Sequence, residues 1–217
     1  MTKAMEITLV DYGMANMLNV ARAFRHCGAE IRVVETAAEA KPADRLVVPG
    51  VGAFEKSIRA VREKGFDDLI RRHAETGRPS LGVCVGMQML FDASEEFGEH
   101  EGLGLLPGRV SRVPAVDTSG EPQPVPHIGW SPLVPAEAQR SWDNTFLAGQ
   151  QPGEANVYFV HSFAARPADA RDGLADCLYG GHRICAAVQR DNICATQFHP
   201  ERSGEIGLSV IRRFLSL

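Results

Sequence analysis

The residues best equipped for covalent chemistry are Cys84, set in Leu81-Gly82-Val83-Cys84-Val85-Gly86-Met87-Gln88, and His199, which is followed by Pro200 and Glu201. A G-x-C-x-G run at the end of an apolar stretch is the thiol form of a nucleophile elbow, a sharp strand-to-helix turn with the nucleophile at its apex. Glycines on either side keep bulk out of that turn. A thiol at the start of a helix also faces unpaired backbone N–H groups, whose positive end favours thiolate. A free cysteine serves equally well as a small buried apolar residue, so this spacing alone leaves its role open. A nucleophilic cysteine needs a base, and His199 ends an apolar strand with a carboxylate two residues on to orient its ring and stabilise its charge. A solvated strand end is the alternative for those residues. A metal site built on His-x-Glu requires a Pro-Cys-x-x-Cys partner, which the sequence lacks.

The other histidines sort by position. His26, His73, His100 and His182 fall in polar or helix-end positions and are expected at the surface, whereas His127 and His161 lie within or beside strands as candidate core residues. Pro49-Gly50-Val51-Gly52 is a glycine-rich turn at the carboxyl end of a strand, where open α/β sheets bind ligands. Its backbone N–H groups, with that of Val85, suit an oxyanion hole. An ordinary turn is the alternative. A phosphate loop would need the lysine and Ser/Thr that are missing, and Gly102-Leu103-Gly104 does not continue into a dinucleotide pattern.

The elements that must position these residues follow from hydrophobic periodicity. Residues 7–10, 31–34 and 46–48 read as strands, with a helix carrying Met17, Val20, Phe24 and Cys27 between the first two and ending at Gly28. Strand, helix, strand implies a parallel sheet. Residues 54–61 and 66–74 read as helices, the strand to Cys84 follows, and residues 86–93 read as the helix after the elbow. Residues 107–135 change to short strand-like runs broken by proline, among them 109–113 and 127–130, expected as antiparallel additions to the same domain. Residues 156–163 form a further strand, 184–189 and 193–198 flank a hairpin turn at Arg190-Asp191-Asn192, and a last helix covers 205–217.

Composition sets the broad class. The 217 residues, 44% hydrophobic and 23% charged, are enough for one sizeable core, and one domain over residues 1–217 is expected. A net charge of −4 gives no electrostatic reason for a nucleic-acid or anionic-membrane partner. The first ten residues are too short and too charged an apolar stretch for an export signal, no later run spans a bilayer, and a cytoplasmic protein is expected. Cys27, Cys84, Cys177, Cys185 and Cys194 are odd in number without C-x-x-C spacing, which predicts reduced thiols.

Taken together, Pro49-Gly50-Val51-Gly52-Ala53-Phe54, Gly82-x-Cys84-x-Gly86-Met87-Gln88 and Thr196-Gln197-Phe198-His199-Pro200-Glu201 resemble the class I, triad-type glutamine amidotransferases. Within that class, Asp11-Tyr12-Gly13-Met14, His127-Ile128-Gly129-Trp130 and Tyr158-Phe159-Val160-His161-Ser162-Phe163 resemble the glutaminase subunits of imidazole glycerol phosphate synthases. The resemblance implies a flavodoxin-like α/β fold, with a central mostly parallel sheet, helices on both faces and antiparallel additions in the second half. It implies Cys84 as nucleophile, His199 as proton shuttle and Glu201 as its orienting group. Gly50, Val51, Gly52 and Val85 would stabilise the oxyanion, and Gln88, Glu96 and the backbone of Ser162 and Phe163 would hold L-glutamine. Asn16 and Arg202 would face a (β/α)₈ cyclase partner that takes up the ammonia; no cofactor or metal is implied. Arg202 stands where lysine is usual, and the two cations make different contacts. Rival readings are a glutaminase feeding another synthase, such as one for cell-surface sugar amidation, a non-catalytic regulatory protein of the same fold, and a thiol peptidase or hydrolase.

Overall fold

The first half of the chain alternates buried strands with amphipathic helices, and the second half is almost entirely strand. The computed structural model describes residues 5–136 and 141–217; the reading of residues 1–10 as no export signal falls partly outside them. In chain order the elements are β1 (Glu6–Val10), α1 (Met17–His26), β2 (Glu30–Val34), β3 (Arg45–Gly50), α2 (Phe54–Glu63), α3 (Phe66–Glu75), β4 (Ser80–Cys84), α4 (Val85–Gln88), β5 (Phe91–Ser94), β6 (His100–Glu101) and β7 (Leu106–Arg112). There follow β8 (His127–Pro135), β9 (Asn156–His161), β10 (Phe163–Pro167), β11 (Gly173–Tyr179), β12 (His182–Arg190), β13 (Ile193–Thr196) and α5 (Gly204–Ser216).

A nine-stranded sheet has the order β2-β1-β3-β4-β13-β12-β11-β8-β9. The strands from β2 to β13 are mutually parallel, and each later neighbour is antiparallel. Every residue of β3, β4 and β13 is buried, because the parallel half has helices on both faces and its strands must be apolar on both sides. Consecutive strand residues point to opposite faces. Arg45 accordingly donates from Nε to the Phe214 carbonyl of α5 at 3.1 Å, while Leu46 lines a cavity together with Leu69 and His73 of α3. On the first face α1 meets α5 through an edge-to-face Phe24–Phe214 pair with centroids 6.3 Å apart. A second sheet, β10-β7-β5-β6, covers the end of the molecule near the elbow.

Three local expectations change. The helix predicted over 86–93 is only four residues long, because Phe91 onward is captured by β6 and β7 and the N–H groups of Leu103 and Gly104 bond to the carbonyls of Met89 and Phe91. The single strand predicted over 156–163 divides at Ser162, with β9 on β8 and β10 on β7. His73, expected at the surface, is buried, with Nε2 3.1 Å from the Pro79 carbonyl. β11, which the sequence did not mark, fills the gap between β12 and β8.

Phe24→Ala should cost about 3–5 kcal/mol by opening a cavity beneath α5, whereas Leu18→Ala on the same helix, at a residue 58% exposed, should change stability by about 0.5 kcal/mol or less. Urea unfolding of the two variants measures the difference.

Candidate active site

β3 and β4 are adjacent, and Gly50 lies directly beside Cys84 in their register. The chain turns from β4 into α4 with Cys84 at the apex in the left-handed region, φ 54° and ψ −112°. That conformation is costly for any residue but glycine, by about 1–3 kcal/mol, and persists only where packing holds it. The glycines explain how it is held. A Cβ on Gly86 would collide with the Val48 carbonyl of β3, and one on Gly82 would meet the Gly86 carbonyl at 2.9 Å. Removing both side chains lets the first turn of α4 press against β3. Cys84 is 4% exposed, and Val85, first in α4, has an N–H with no intrahelical acceptor.

His199 leaves β13 with its backbone clamped on two sides. Its N–H donates to the Tyr158 carbonyl at 3.0 Å, and its carbonyl accepts the Ser203 hydroxyl at 2.6 Å. Pro200 opens a 3₁₀ turn, Pro200–Arg202, which folds Glu201 back so that Oε1 accepts from His199 Nδ1 at 2.8 Å. Both side chains are 4% exposed. His199 Nε2 is left facing Cys84 across the cavity that both residues line. Burial opposes charge on this ring, but the nearby Cys84 sulfur and the Glu201 carboxylate outweigh it, and its pKa is pushed up to about 10. A buried imidazolium beside a thiol is suited to hold a thiolate and to protonate a leaving amine.

The cavity measures about 270 Å³. Of the residues expected around a substrate, Val51, Gly52, Val85, Gln88, Glu96, Ser162 and Phe163 line it with Cys84 and His199; Gly50 stands behind Cys84. Their hydrogen bonds differ from expectation at two points. Val51 N–H donates to the Met14 carbonyl at 2.8 Å, so it is engaged away from an oxyanion. Glu96 Oε2 accepts the N–H of Phe54, the first residue of α2, at 2.6 Å. Gln88 Nε2 donates to the Phe163 carbonyl at 2.9 Å and to Gln197 Oε1 at 3.0 Å.

Gln197 was missed as a site residue. Its Nε2 approaches Cys84 Sγ at 3.6 Å. Gln197 lies in the bend between β13 and His199, past the end of the strand, where no strand alternation signals its direction. Tyr12 was missed too; its buried hydroxyl lies beside Ser57 and occupies the space that a Gly50 side chain would need. The two expected interface residues stand apart from the cavity. Asn16 caps α1 by accepting the Asn19 N–H at 3.3 Å, and the Arg202 guanidinium stacks 4.2 Å above the Tyr158 ring.

An α/β sheet thus brings a cysteine and a histidine to one cavity, with a glutamate bonded behind the histidine. Residues 8–216 match the family described as Glutamine amidotransferase class-I, and the chain belongs to that family. Within it, the chain is 46% identical over 211 residues to the imidazole glycerol phosphate synthase subunit HisH 1 of Legionella pneumophila (strain Lens), an alignment covering 97% of this chain and 99% of the relative. It is 45% identical to the HisH subunit of Syntrophotalea carbinolica, covering 96% and 98%. Among solved structures, PurLQS from Thermotoga maritima superposes with a TM-score of 0.73 at 21% identity, covering 99% of each chain, which shows the shared fold.

The charge states give stability a two-sided pH dependence. His199 titrates above its ordinary 6.5, so its contribution is complete below about pH 6.5 and is lost as the pH rises through about 10. Burial depresses His127 and His161 to about 4, so their contribution is complete above about pH 6.5 and is lost as the pH falls through about 4. Unfolding midpoints across that range should fall at both ends. Glu201→Gln should lower the His199 pKa by about one unit or more, read from the ring resonances in an NMR titration.

Proposed function

We propose that this chain is the glutaminase of an imidazole glycerol phosphate synthase, acting as one domain in a reducing cytoplasm. It hydrolyses L-glutamine at Cys84 and passes the ammonia through a channel to a (β/α)₈ cyclase bound as a heterodimer partner. The cyclase uses it to make imidazole glycerol phosphate and an aminoimidazole carboxamide ribonucleotide in histidine biosynthesis. The observation that carries the reading is the cavity lined by Cys84, His199 and Gln88, with Glu201 bonded behind His199, in a chain so similar to HisH subunits. Five unpaired cysteines fit the compartment.

The Cys84 thiolate attacks the side-chain carbonyl carbon of glutamine, and the oxyanion is received by the Val85 N–H. His199 Nε2–H protonates the amide nitrogen as the C–N bond breaks, releasing ammonia and leaving a γ-glutamyl thioester. Neutral His199 then takes a proton from water, whose oxygen attacks the thioester; Cys84 leaves as thiolate and glutamate departs. Glu201 Oε1 holds the Nδ1 proton throughout and stabilises the imidazolium. Val51 N–H completes the oxyanion hole only when it lets go of the Met14 carbonyl, which makes the isolated chain a slow enzyme and gives a partner something to activate.

A partner has a surface to bind beside this cavity. Ile128 and Trp130 are 60% and 56% exposed and point the same way from β8. Their cross-strand neighbours are Val160 and Tyr158, and Arg202 covers the Tyr158 ring. Val160 also lines the cavity, so a cyclase seated on this apolar face sits at the rim of the site.

Cys84→Ala should reduce glutamate release by about 10³-fold or more with little change in melting temperature. The cyclase with its ribonucleotide substrate should raise wild-type turnover by about 10- to 100-fold, and Trp130→Ala should weaken cyclase binding by about tenfold or more. Glutamate-release assays and titration calorimetry check these values. Substantial activity in the Cys84 variant would remove the nucleophile assignment, and turnover indifferent to the cyclase would remove the partner.

A further inference from the structure

His127 and His161 are buried titratable residues that the reaction above leaves unused, and they are joined. The β8–β9 register sets them opposite each other, with His127 Nδ1 3.3 Å from His161 Nε2. At one end His127 Nε2 lies 3.0 Å from the Ser131 hydroxyl. At the other, His161 Nδ1 lies 2.9 Å from the Phe163 carbonyl oxygen. The His127 ring is fixed between two aromatic faces, Phe159 at 4.9 Å and Tyr179 at 4.1 Å between centroids. The Phe163 carbonyl that receives His161 is also the one that receives Gln88. Gln88 in turn reaches Gln197, which contacts Cys84.

The hydrogens along this row have one consistent arrangement. A carbonyl only accepts, so His161 Nδ1 carries a proton. Burial keeps both rings neutral near pH 7, which leaves His161 Nε2 as a lone pair. That lone pair requires the proton of the facing nitrogen, so His127 Nδ1 donates. His127 Nε2 is then the acceptor, and the Ser131 hydroxyl, which can rotate, donates to it. All the bonds run in one direction, from Ser131 to the Phe163 carbonyl.

We infer that Ser131, His127 and His161 form a directed hydrogen-bond relay that fixes the Phe163 carbonyl, and with it Gln88 and the Ser162–Phe163 backbone, in the geometry that receives glutamine. The inference deepens the proposed function and rests on that reading of the site. Its physical basis is the break between β9 and β10. Ser162 sits where the chain passes from one sheet to the other, and its carbonyl is held by the Val113 N–H at 2.9 Å. The next carbonyl, Phe163, is held by two side chains, Gln88 and His161. Losing the His161 donor frees the peptide that lines the cavity. His127 and His161 are therefore positioning residues, acting on substrate through the backbone, and their loss should raise KM for glutamine more than it lowers kcat.

The full-length chain gives the test in two independent readouts. Long-range ¹H–¹⁵N NMR of the wild type should show both histidines as Nδ1–H tautomers; an Nε2–H tautomer at His161 overturns the relay. In glutaminase kinetics, His161→Leu should raise KM by about tenfold with kcat within about threefold. His161→Asn, whose amide nitrogen takes the place of Nδ1 and again donates to the Phe163 carbonyl, should restore KM to within about twofold, although both variants equally lose the bond to His127 and should melt alike. His127→Phe keeps the aromatic stack and removes the restraint on the His161 tautomer, and KM should rise there as well. Equal KM values for the Leu and Asn variants, or unchanged KM in His127→Phe, would reduce the pair to a packing role. A wild-type chain that turns over no glutamine, with or without the cyclase, would instead overturn the function, and the tautomers would then decide the relay alone.

Discussion

The contact on which the site depends is the one between the elbow and β3. Gly86 sits against the Val48 carbonyl with no room for a side chain, and Gly50 lies beside Cys84 with the Tyr12 hydroxyl filling the space of its missing Cβ. Because the first turn of α4 can approach so closely, the backbone at Cys84 stays in a left-handed conformation that costs a non-glycine residue free energy. The surrounding strands, buried on both faces, supply the stability that holds it. The same closeness puts the glycine-rich end of β3 within reach of whatever bonds to the Cys84 sulfur.

Charge is distributed around that apex with little solvent to screen it. His199 and Glu201 form a buried pair whose imidazolium is favoured, and the Nε2 that faces Cys84 is what remains for chemistry. A few ångströms of protein away, His127 and His161 are held neutral by burial and by an orderly row of donors and acceptors. Had His161 been charged, it would have faced another cation in the same cavity. Burial alone in one case, and burial beside the Cys84 sulfur and the Glu201 carboxylate in the other, sends identical side chains to opposite protonation states.

The second half of the chain turns a generic α/β sheet into this particular site. The segment after β13 brings Gln197 and His199 beside the elbow strand, and the β8–β9 pair supplies one wall of the cavity through Val160 and His161 and exposes Ile128 and Trp130. The backbone break at Ser162 connects the large sheet with the smaller one directly at the cavity. A wall of the cavity, an exposed apolar face and the histidine row are thus all arranged on the same pair of strands.

The sequence by itself determined the parallel half and singled out Cys84, His199 and Glu201 as one group. Strands buried on both faces must be continuous apolar runs, an elbow must be flanked by glycines, and a histidine with a carboxylate two residues on can be oriented by it; all of these are local patterns. Tertiary structure alone decided the rest. The helix expected after Cys84 stops after four residues because long-range pairing claims Phe91, and His73 is buried because its ring finds a backbone carbonyl beneath α3. The donors around the cavity were equally invisible to a local reading. Val51 bonds to Met14, Glu96 to Phe54, and Gln88 to a carbonyl 75 positions away, and such partners are chosen by which segments meet across the sheets, which no pattern within one segment encodes.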